Sequence, residues 1–444
     1  MYEEQLIKDA LNFFHAGVNS VLPETLFREK IILKHGRLII SDVNGIFEHI
    51  ELNKYRRIII IGAGKASAAM AKELENLLLS AKIEITGVVV TKPGCLVNLK
   101  KVQVLKAGHP IPDKKGIDAA KKILSVASSA DKNDLVINLL SGGASSLLPF
   151  PVKGISLSDK IKITNLLLQK GLSIHEINVI RKHLSKIKGG KLLRYTYPAK
   201  VVSLIISDVI GDNPDIIGSG LTVPDTLTRS DVMKIINKYN LADNLPKRVL
   251  NFLLNEQESM KNSYPISDFS NIIIANNAKA LSRINEAATQ AGYISNIVNT
   301  SLSGEASKAG KKIAISILKF KRNLRQKNKK YCFIYGGETT VTIKGKGKGG
   351  RSQELALAAA TELKGEKYIV LLSAGTDGND GPTDAAGAFC TGSTVILGEK
   401  LGLDAVEYIG NNNSYHYFSK IQQIIKTGIT CTNVADVVIV LFYV

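Results

Sequence analysis

The sequence predicts an α/β protein of two domains, and three observations predict it. Short β-branched runs recur, each ending in a glycine-rich or polar turn and leading into a helical pattern, which is how a parallel sheet with crossover helices reads. The chain has 444 residues, more than one hydrophobic core ordinarily holds. The runs share no fixed period, so a solenoid is excluded. With 45% hydrophobic and 22% charged residues, the composition is that of an ordinary globular protein.

Six strand-to-turn units can be read. RRIIII runs into GAGKAS near Ile61, LVINLL into SGGASS near Leu140, and VVSLII into SDVIGDN near Ile206. NIIIA runs into NNAKA near Ala275, YCFIY into GGETT near Tyr335, and YIVLL into SAGTDGNDG near Leu372. Ligands of open α/β sheets lie beyond the carboxyl ends of the strands, so the site is expected in these turns. Between Leu241 and Ser270 a proline-led helical pattern gives way to a polar run. This reads as the break between domains spanning 1–255 and 265–444.

The N-terminus MYEEQLIKDALNFF carries acids where a secretory signal carries lysines. The longest apolar runs, Ile58 to Ile61 and Val434 to Val444 with Asp436 inside it, have the length of strands. No export signal or membrane span is read. Cys95, Cys332, Cys390 and Cys431 form no CxxC pair, so their spacing encodes neither a zinc site nor a disulfide framework, and a reducing cytoplasm is expected. The net charge of +19, from 58 basic and 39 acidic residues, favours anionic partners. Lys319 to Lys330 holds seven basic residues but a single aromatic, Phe320. Base stacking needs more aromatics, so the stretch reads as a solvated helix end and no nucleic-acid partner is expected.

Each turn has a chemistry. In GAGKASAAMAKEL, Gly62 and Gly64 permit a tight turn before a helix, whose N-terminal amides can face an anion beside Lys65. The string lacks both the GK[ST] ending of a Walker A motif and the third glycine of GxGxxG. In SGGASS, Ser141, Gly142, Gly143 and Ser145 offer amides and hydroxyls to tetrahedral oxygens. NVIRKHLSKIKGGKL reads as a helix carrying Arg181, Lys182, Lys186 and Lys188 and closed by Gly189 and Gly190, with a basic, solvated helix as the plain alternative. After it come Asp208, Asp212, Asp215 and Asp225, loop carboxylates of the kind that take Mg²⁺, with Asp208 nearest the strand end. Some of the four are expected to cap loops instead.

In the second half, Glu338 and Thr339 follow a strand, and a glycine-lysine loop leads to Arg351, whose planar fork suits phosphate or carboxylate oxygens. That loop reads either as a mobile cover over a phosphate or as a disordered tip with solvated lysines. Gly375, Thr376 and Asp377 open SAGTDGNDGPTDAAGAF, which lacks the twelfth-position glutamate of a calcium loop and suits a nucleotide or polar substrate.

GAGKAS, SGGASS, VIRKHLSKIKGGKL, SDVIGDNPDIIGSGLTVPD, GGETTVT, GKGGRSQELALAAA and SAGTDGNDGPTDAAGA, taken in order, resemble the type II glycerate kinases, whose C-terminal part is the MOFRL domain. The resemblance covers nearly the whole chain. It implies a Rossmann-like parallel-sheet N-terminal domain and a smaller C-terminal α/β domain, with the active site in the cleft between them. It further implies ATP and Mg²⁺ as cofactors, D-glycerate as acceptor with 2-phosphoglycerate as product, and Lys65 and Arg351 as catalytic cations. Gly62, Gly64, Ser141, Gly142, Gly143, Ser145, Glu338, Thr339, Gly375, Thr376 and Asp377 are then expected at the nucleotide, and Asp208 at the metal. A monomer or homodimer is expected. Two other classes compete. A NAD(P)-dependent reductase of hydroxypyruvate or tartronate semialdehyde would want the GxGxxG fingerprint, and a nucleic-acid-binding protein would use the positive charge.

Overall fold

A computed structural model describes residues 2–255, 265–325 and 328–444. The chain forms two compact units, Leu26–Ile274 and a second made of Met1–Thr25 with Ala275–Val444. The division expected from sequence is contiguous and these units are not. The N-terminal helix Tyr2–Ser20 explains the difference: Leu6, Ala10, Phe13, Phe14 and Val18 recur at helical spacing and are buried against Leu281, Ile284 and Ile439 of the second unit. Part of the expected linker, residues 256–264, lies outside the described residues. The proline-led helix before it, Lys247–Asn255, is no linker, because Val249 and Leu253 are buried in the helical core of the first unit.

The Leu26–Ile274 unit is built on a six-stranded sheet. Its strands lie in the order Val102–Lys106, Glu84–Thr91, Arg57–Ala63, Asp134–Ser141, Lys200–Ile206 and Phe269–Ala275, so their chain order across the sheet is 3-2-1-4-5-6. That is the Rossmann order, and its switch point falls between Arg57–Ala63 and Asp134–Ser141. Those two strands pair in parallel, with Gly62 opposite Leu139 and Ala63 opposite Leu140. Both are buried along almost their whole length, as the unbroken apolar runs require of a strand covered on both faces. Three antiparallel strands, Ile31–Lys34, Arg37–Ser41 and Phe47–Glu51, form a separate sheet that the sequence reading did not anticipate. The helices Leu157–Gln169, Ile174–His183, Arg229–Lys238 and Lys247–Asn255 pack on one another through Ile163, Leu167, Ile177, Ile180, Val232 and Val249.

The second unit carries a mixed six-stranded sheet, where YCFIY and YIVLL were read as strands of a parallel one. The strands Lys330–Gly337 and Ile369–Gly375 both run antiparallel to Asp436–Tyr443, which lies between them. Alternation along that central strand buries Val438, Val440 and Phe442 on one face and Val437, Ile439 and Leu441 on the other. The helices Ala306–Asn323 and Arg351–Leu363 cover the first face; Tyr2–Ser20 and Asn277–Gln290 cover the second. Among the described residues no helix is long and apolar enough to cross a membrane.

Candidate active site

At the switch point of the parallel sheet, GAGKAS and SGGASS are bonded to each other. The Lys65 amide donates to Gly142 O (2.9 Å), the Ala66 amide to Ser141 Oγ (2.9 Å) and the Gly64 amide to Val90 O (3.1 Å). A Cβ on Gly62 would stand 2.2 Å from Leu139 O, and one on Gly64 2.1 Å from Ser141 Oγ. Gly62, Gly64, Ser141 and Gly142, expected as ligand contacts, are therefore committed to joining the two turns. The amides of residues 64–66 are spent on the protein, and the turn presents the Lys65 side chain at the N-terminus of the helix Ser67–Leu79.

Gly143 differs. Its φ of +85° suits glycine, and a Cβ there would lie 2.9 Å from the His109 ring and 3.4 Å from Lys65 Cγ. With Ser145 and Ser146 it lines a cavity of about 450 Å³, whose wall also carries Lys160, Arg181 and Lys188. The two helices bearing Lys160 and Arg181 belong to the helical cluster, so that cluster closes over the strand-end loop. Lys188 is 1% exposed; its Nζ donates to Ser145 Oγ (2.8 Å), Gly218 O (3.2 Å) and Ser219 Oγ (3.3 Å). Burial, reinforced by the charges of Lys160, Arg181 and Lys182, holds its ammonium well below the ordinary lysine range. The reading of a solvated basic helix is thus overturned. Lys182 is buried too, ion-paired to Asp215 and 3.8 Å from Asp225. The sequence reading gave Lys160 no role and took Lys188 as one charge of a basic helix, because it treated lysine as a surface residue.

Asp215 is taken by Lys182, Asp225 accepts the Leu227 amide (3.1 Å), and Asp208 lies two residues beyond Ile206, the strand residue opposite Ser141. Among the described residues no group of three or more His, Cys, Asp or Glu side chains is arranged to hold a metal.

In the second unit, Asp436 sits between the ends of two strands, opposite Gly337 on one side and Gly375 on the other. It clasps Arg351 along one edge of the guanidinium, Nε to Oδ2 at 2.5 Å and Nη2 to Oδ1 at 3.0 Å, while Nη1 bonds Glu338. Burial alone would lower the pKa of this guanidinium, but Asp436 and then Glu338 outweigh it and hold the group above the ordinary arginine value. A Cβ on Gly375 would meet Asp436 Oδ1 and Asp377 Oδ1, each at 3.3 Å, so Glu338, Arg351, Gly375 and Asp377 do converge here. Thr376 faces inward: its hydroxyl donates to Ala435 O (2.7 Å) and accepts the Val434 amide (2.9 Å). Thr339 is buried at 4% exposure. Asp380 accepts the Ser352 and Gln353 amides (3.1 and 2.8 Å), capping the helix Arg351–Leu363, and burial pushes its carboxyl up to about 6. The sequence reading passed over Asp436, whose signal was one acid in an otherwise apolar strand.

The glycine-lysine loop is neither a mobile cover nor a disordered tip. The Lys344 and Gly345 amides donate to Asn412 Oδ1 (2.7 and 2.9 Å), that of Lys346 to Asn411 Oδ1 (3.0 Å) and that of Lys348 to Asn413 Oδ1 (3.0 Å). Side chains at Gly345 and Gly347 would collide with Asn411 and Asn413. The alternating glycines exist to let this stretch lie flat on three asparagines.

A Rossmann-ordered sheet with a lysine turn and a cation-lined cavity at its switch point defines an α/β protein built to hold anions at the carboxyl edge of its strands. Residues 9–254 match the family described as Domain of unknown function (DUF4147), and residues 331–436 the MOFRL family. The chain is 41% identical to the D-glycerate 2-kinase of Thermotoga maritima over 386 residues, 86% of this chain and 90% of that one. It is 38% identical over 383 residues, 86% of each chain, to an Agrobacterium vitis protein carrying the provisional name hydroxypyruvate reductase. The crystal structure of glycerate kinase from Thermotoga maritima superposes with a TM-score of 0.81 at 38% identity, covering 99% of this chain and 100% of that one. The chain belongs to the MOFRL-containing glycerate kinase family.

Proposed function

We propose that this chain is a kinase that transfers the γ-phosphoryl group of ATP to D-glycerate, at the 2-hydroxyl. The observation that carries the reading is the similarity to a D-glycerate 2-kinase along 86% of the chain. The switch-point geometry supports it. Phosphoryl transfer asks a protein to position two reactants and to offset charge on the equatorial oxygens, with little covalent work. Lys65, at the positive end of the helix Ser67–Leu79, is suited to meet that charge. Arg351 is assigned the second cationic role. Three of its five N–H groups are used by Asp436 and Glu338, which fix the fork and leave two for an oxygen of the transferred group.

Mg²⁺ fits the donor set in a limited way. An ion arriving on nucleotide phosphates needs only one or two protein carboxylates, and Asp208, just past the strand end, is the proposed one. When bound, the ion would neutralise phosphate charge. Gly143 and Ser145, at the cavity beside Lys65, are proposed to contact reactants; Glu338 and Asp377 are proposed to act with Arg351. The reductase reading rests on a name alone, and the turn lacks the glycine pattern of a dinucleotide fingerprint.

One assay decides between these. Purified protein with D-glycerate, ATP and Mg²⁺ is expected to form 2-phosphoglycerate, resolved from 3-phosphoglycerate, and to leave NADH untouched when given hydroxypyruvate. Formation of 3-phosphoglycerate would overturn the regiochemistry, and NADH oxidation without phosphoryl transfer would overturn the kinase.

A further inference from the structure

We propose that Lys160 and Arg181 form the subsite that takes the carboxylate of the acid acceptor, with Lys188 holding Ser145 in the wall of that subsite. The proposal rests on the kinase reading and adds to it a specificity device that neither the motifs nor the relatives supply.

Lys160 is 9% exposed, yet among the described residues its ammonium has no hydrogen-bond or ion-pair partner. The ammonium reaches the cavity, and a charge so nearly buried is costly unless water or a ligand in that cavity satisfies it. Its position makes matters worse, because Lys160 lies in the first turn of the helix Leu157–Gln169, where the dipole disfavours a cation. Arg181 has no carboxylate partner either, and burial lowers its pKa as it does that of Lys160.

The acids nearby are committed elsewhere. Asp159 is held by Arg248 at 2.7 Å, Asp215 by Lys182, and Glu176 by Lys238 at 2.8 Å. The cavity lining therefore contains three cations and no acid. Such a wall is complete only with an anion in it.

The choice of carboxylate over phosphate follows from what surrounds the cations. Pro110, Ile161 and Leu168 make part of the wall apolar, which lowers the local dielectric and strengthens a short cation–carboxylate contact. The Arg181 fork grips carboxylate and phosphate oxygens alike, so the apolar wall favours the carboxylate and the KM for ATP tests the choice. Lys188 already spends three donors on Ser145, Gly218 and Ser219, so its part is to orient the Ser145 hydroxyl rather than to touch the ligand. Gly143 lines the same cavity and borders Lys65. An acid anchored on Lys160 and Arg181 would thus have its hydroxyl end near the cation assigned to the transferred phosphoryl group.

The test is a pair of variants, Lys160→Gln and Arg181→Gln, read by steady-state kinetics and by calorimetric titration of D-glycerate without nucleotide. Loss of a charge-assisted hydrogen bond should raise KM and Kd for D-glycerate about tenfold to a hundredfold. KM for ATP should move less than about threefold on the same scale. Wild-type protein should prefer D-glycerate over its neutral amide, and both variants should lose most of that preference. Melting temperatures should hold or rise, since a buried charge has been removed, which separates a ligand-binding role from a structural one. A rise in KM for ATP instead would make this a phosphate subsite and overturn the proposal, as would unchanged D-glycerate binding in both variants. Wild-type protein that binds D-glycerate without phosphorylating it would sink the kinase reading and leave the subsite standing; failure to bind it at all would sink both.

Discussion

Two cationic sites, one in each unit, solve opposite electrostatic problems. In the Leu26–Ile274 unit, Lys160, Arg181 and Lys188 surround a cavity without a carboxylate, and burial pulls all three pKa values down. In the other unit, Arg351 is clasped by Asp436 and Glu338, and its pKa is driven up. The first arrangement is poised to receive negative charge. The second has its charge more than matched, and what it gains is a fixed direction for the guanidinium. A basic residue beside glycines can therefore mean a receptor or a locked pointer, and only its counter-charges tell which.

The sharpest way to break that contrast is to remove the cation assigned to the reaction in each unit. Lys65→Ala and Arg351→Ala are each expected to lower kcat about a hundredfold or more, since a preorganised charge at the transition state is worth ~3 kcal/mol. Arg351→Ala strands Asp436, whose side chain is 10% exposed, and should lower the melting temperature. Near-wild-type turnover in either variant, measured with D-glycerate and ATP both saturating, would remove that residue from the mechanism.

Asp436→Asn asks a smaller question. The amide keeps the shape and one acceptor but loses the charge that aligns the fork, so kcat should fall about tenfold, ~1.4 kcal/mol, with both KM values little changed. If Asp436 only supported the fold, the melting temperature would fall while kcat stayed put.

Much of this fold was legible in the sequence because buried parallel strands announce themselves. RRIIII and LVINLL are continuous apolar runs ending in glycines, and they became the two strands at the switch point. The mixed sheet of the second unit was harder to read, since YCFIY and YIVLL look the same whether the neighbouring strand is parallel or not, and the intervening strand Asp436–Tyr443 comes last in the chain. The N-terminal helix was hidden for a related reason. Its apolar face is plain, but nothing local says that it packs on residues nearly three hundred positions away. At the site, glycines were read for their freedom to approach a phosphate, whereas Gly62, Gly345 and Gly347 serve close packing against the protein itself. The buried lysines were illegible because burial of a charge is set by the tertiary surroundings, and their clue lies only in the missing counter-ions.

Burial, then the charges of Arg181 and Lys191, push the Lys160 pKa down to about 8 in the folded state, while the unfolded chain keeps the ordinary value of 10.5. Below pH 8 both states carry the charge, and the folded state bears the whole burial cost. Between pH 8 and 10.5 the unfolded chain binds more protons, so this group makes folding more favourable as the pH rises. Lys160→Met removes the cost outright. At pH 7 the variant should therefore melt a few degrees above wild type, on the order of 1–2 °C per kcal/mol for a chain of this size. That advantage should shrink as the pH rises and nearly vanish by 10.5. Saturating D-glycerate should erase it at pH 7 by stabilising wild type more than the variant, because only the wild-type cavity has the cation to hold the acid. A variant that melts lower than wild type at pH 7, by an amount indifferent to pH and to D-glycerate, would mean that Lys160 is a structural residue and that the two cationic sites are less different than their charges imply.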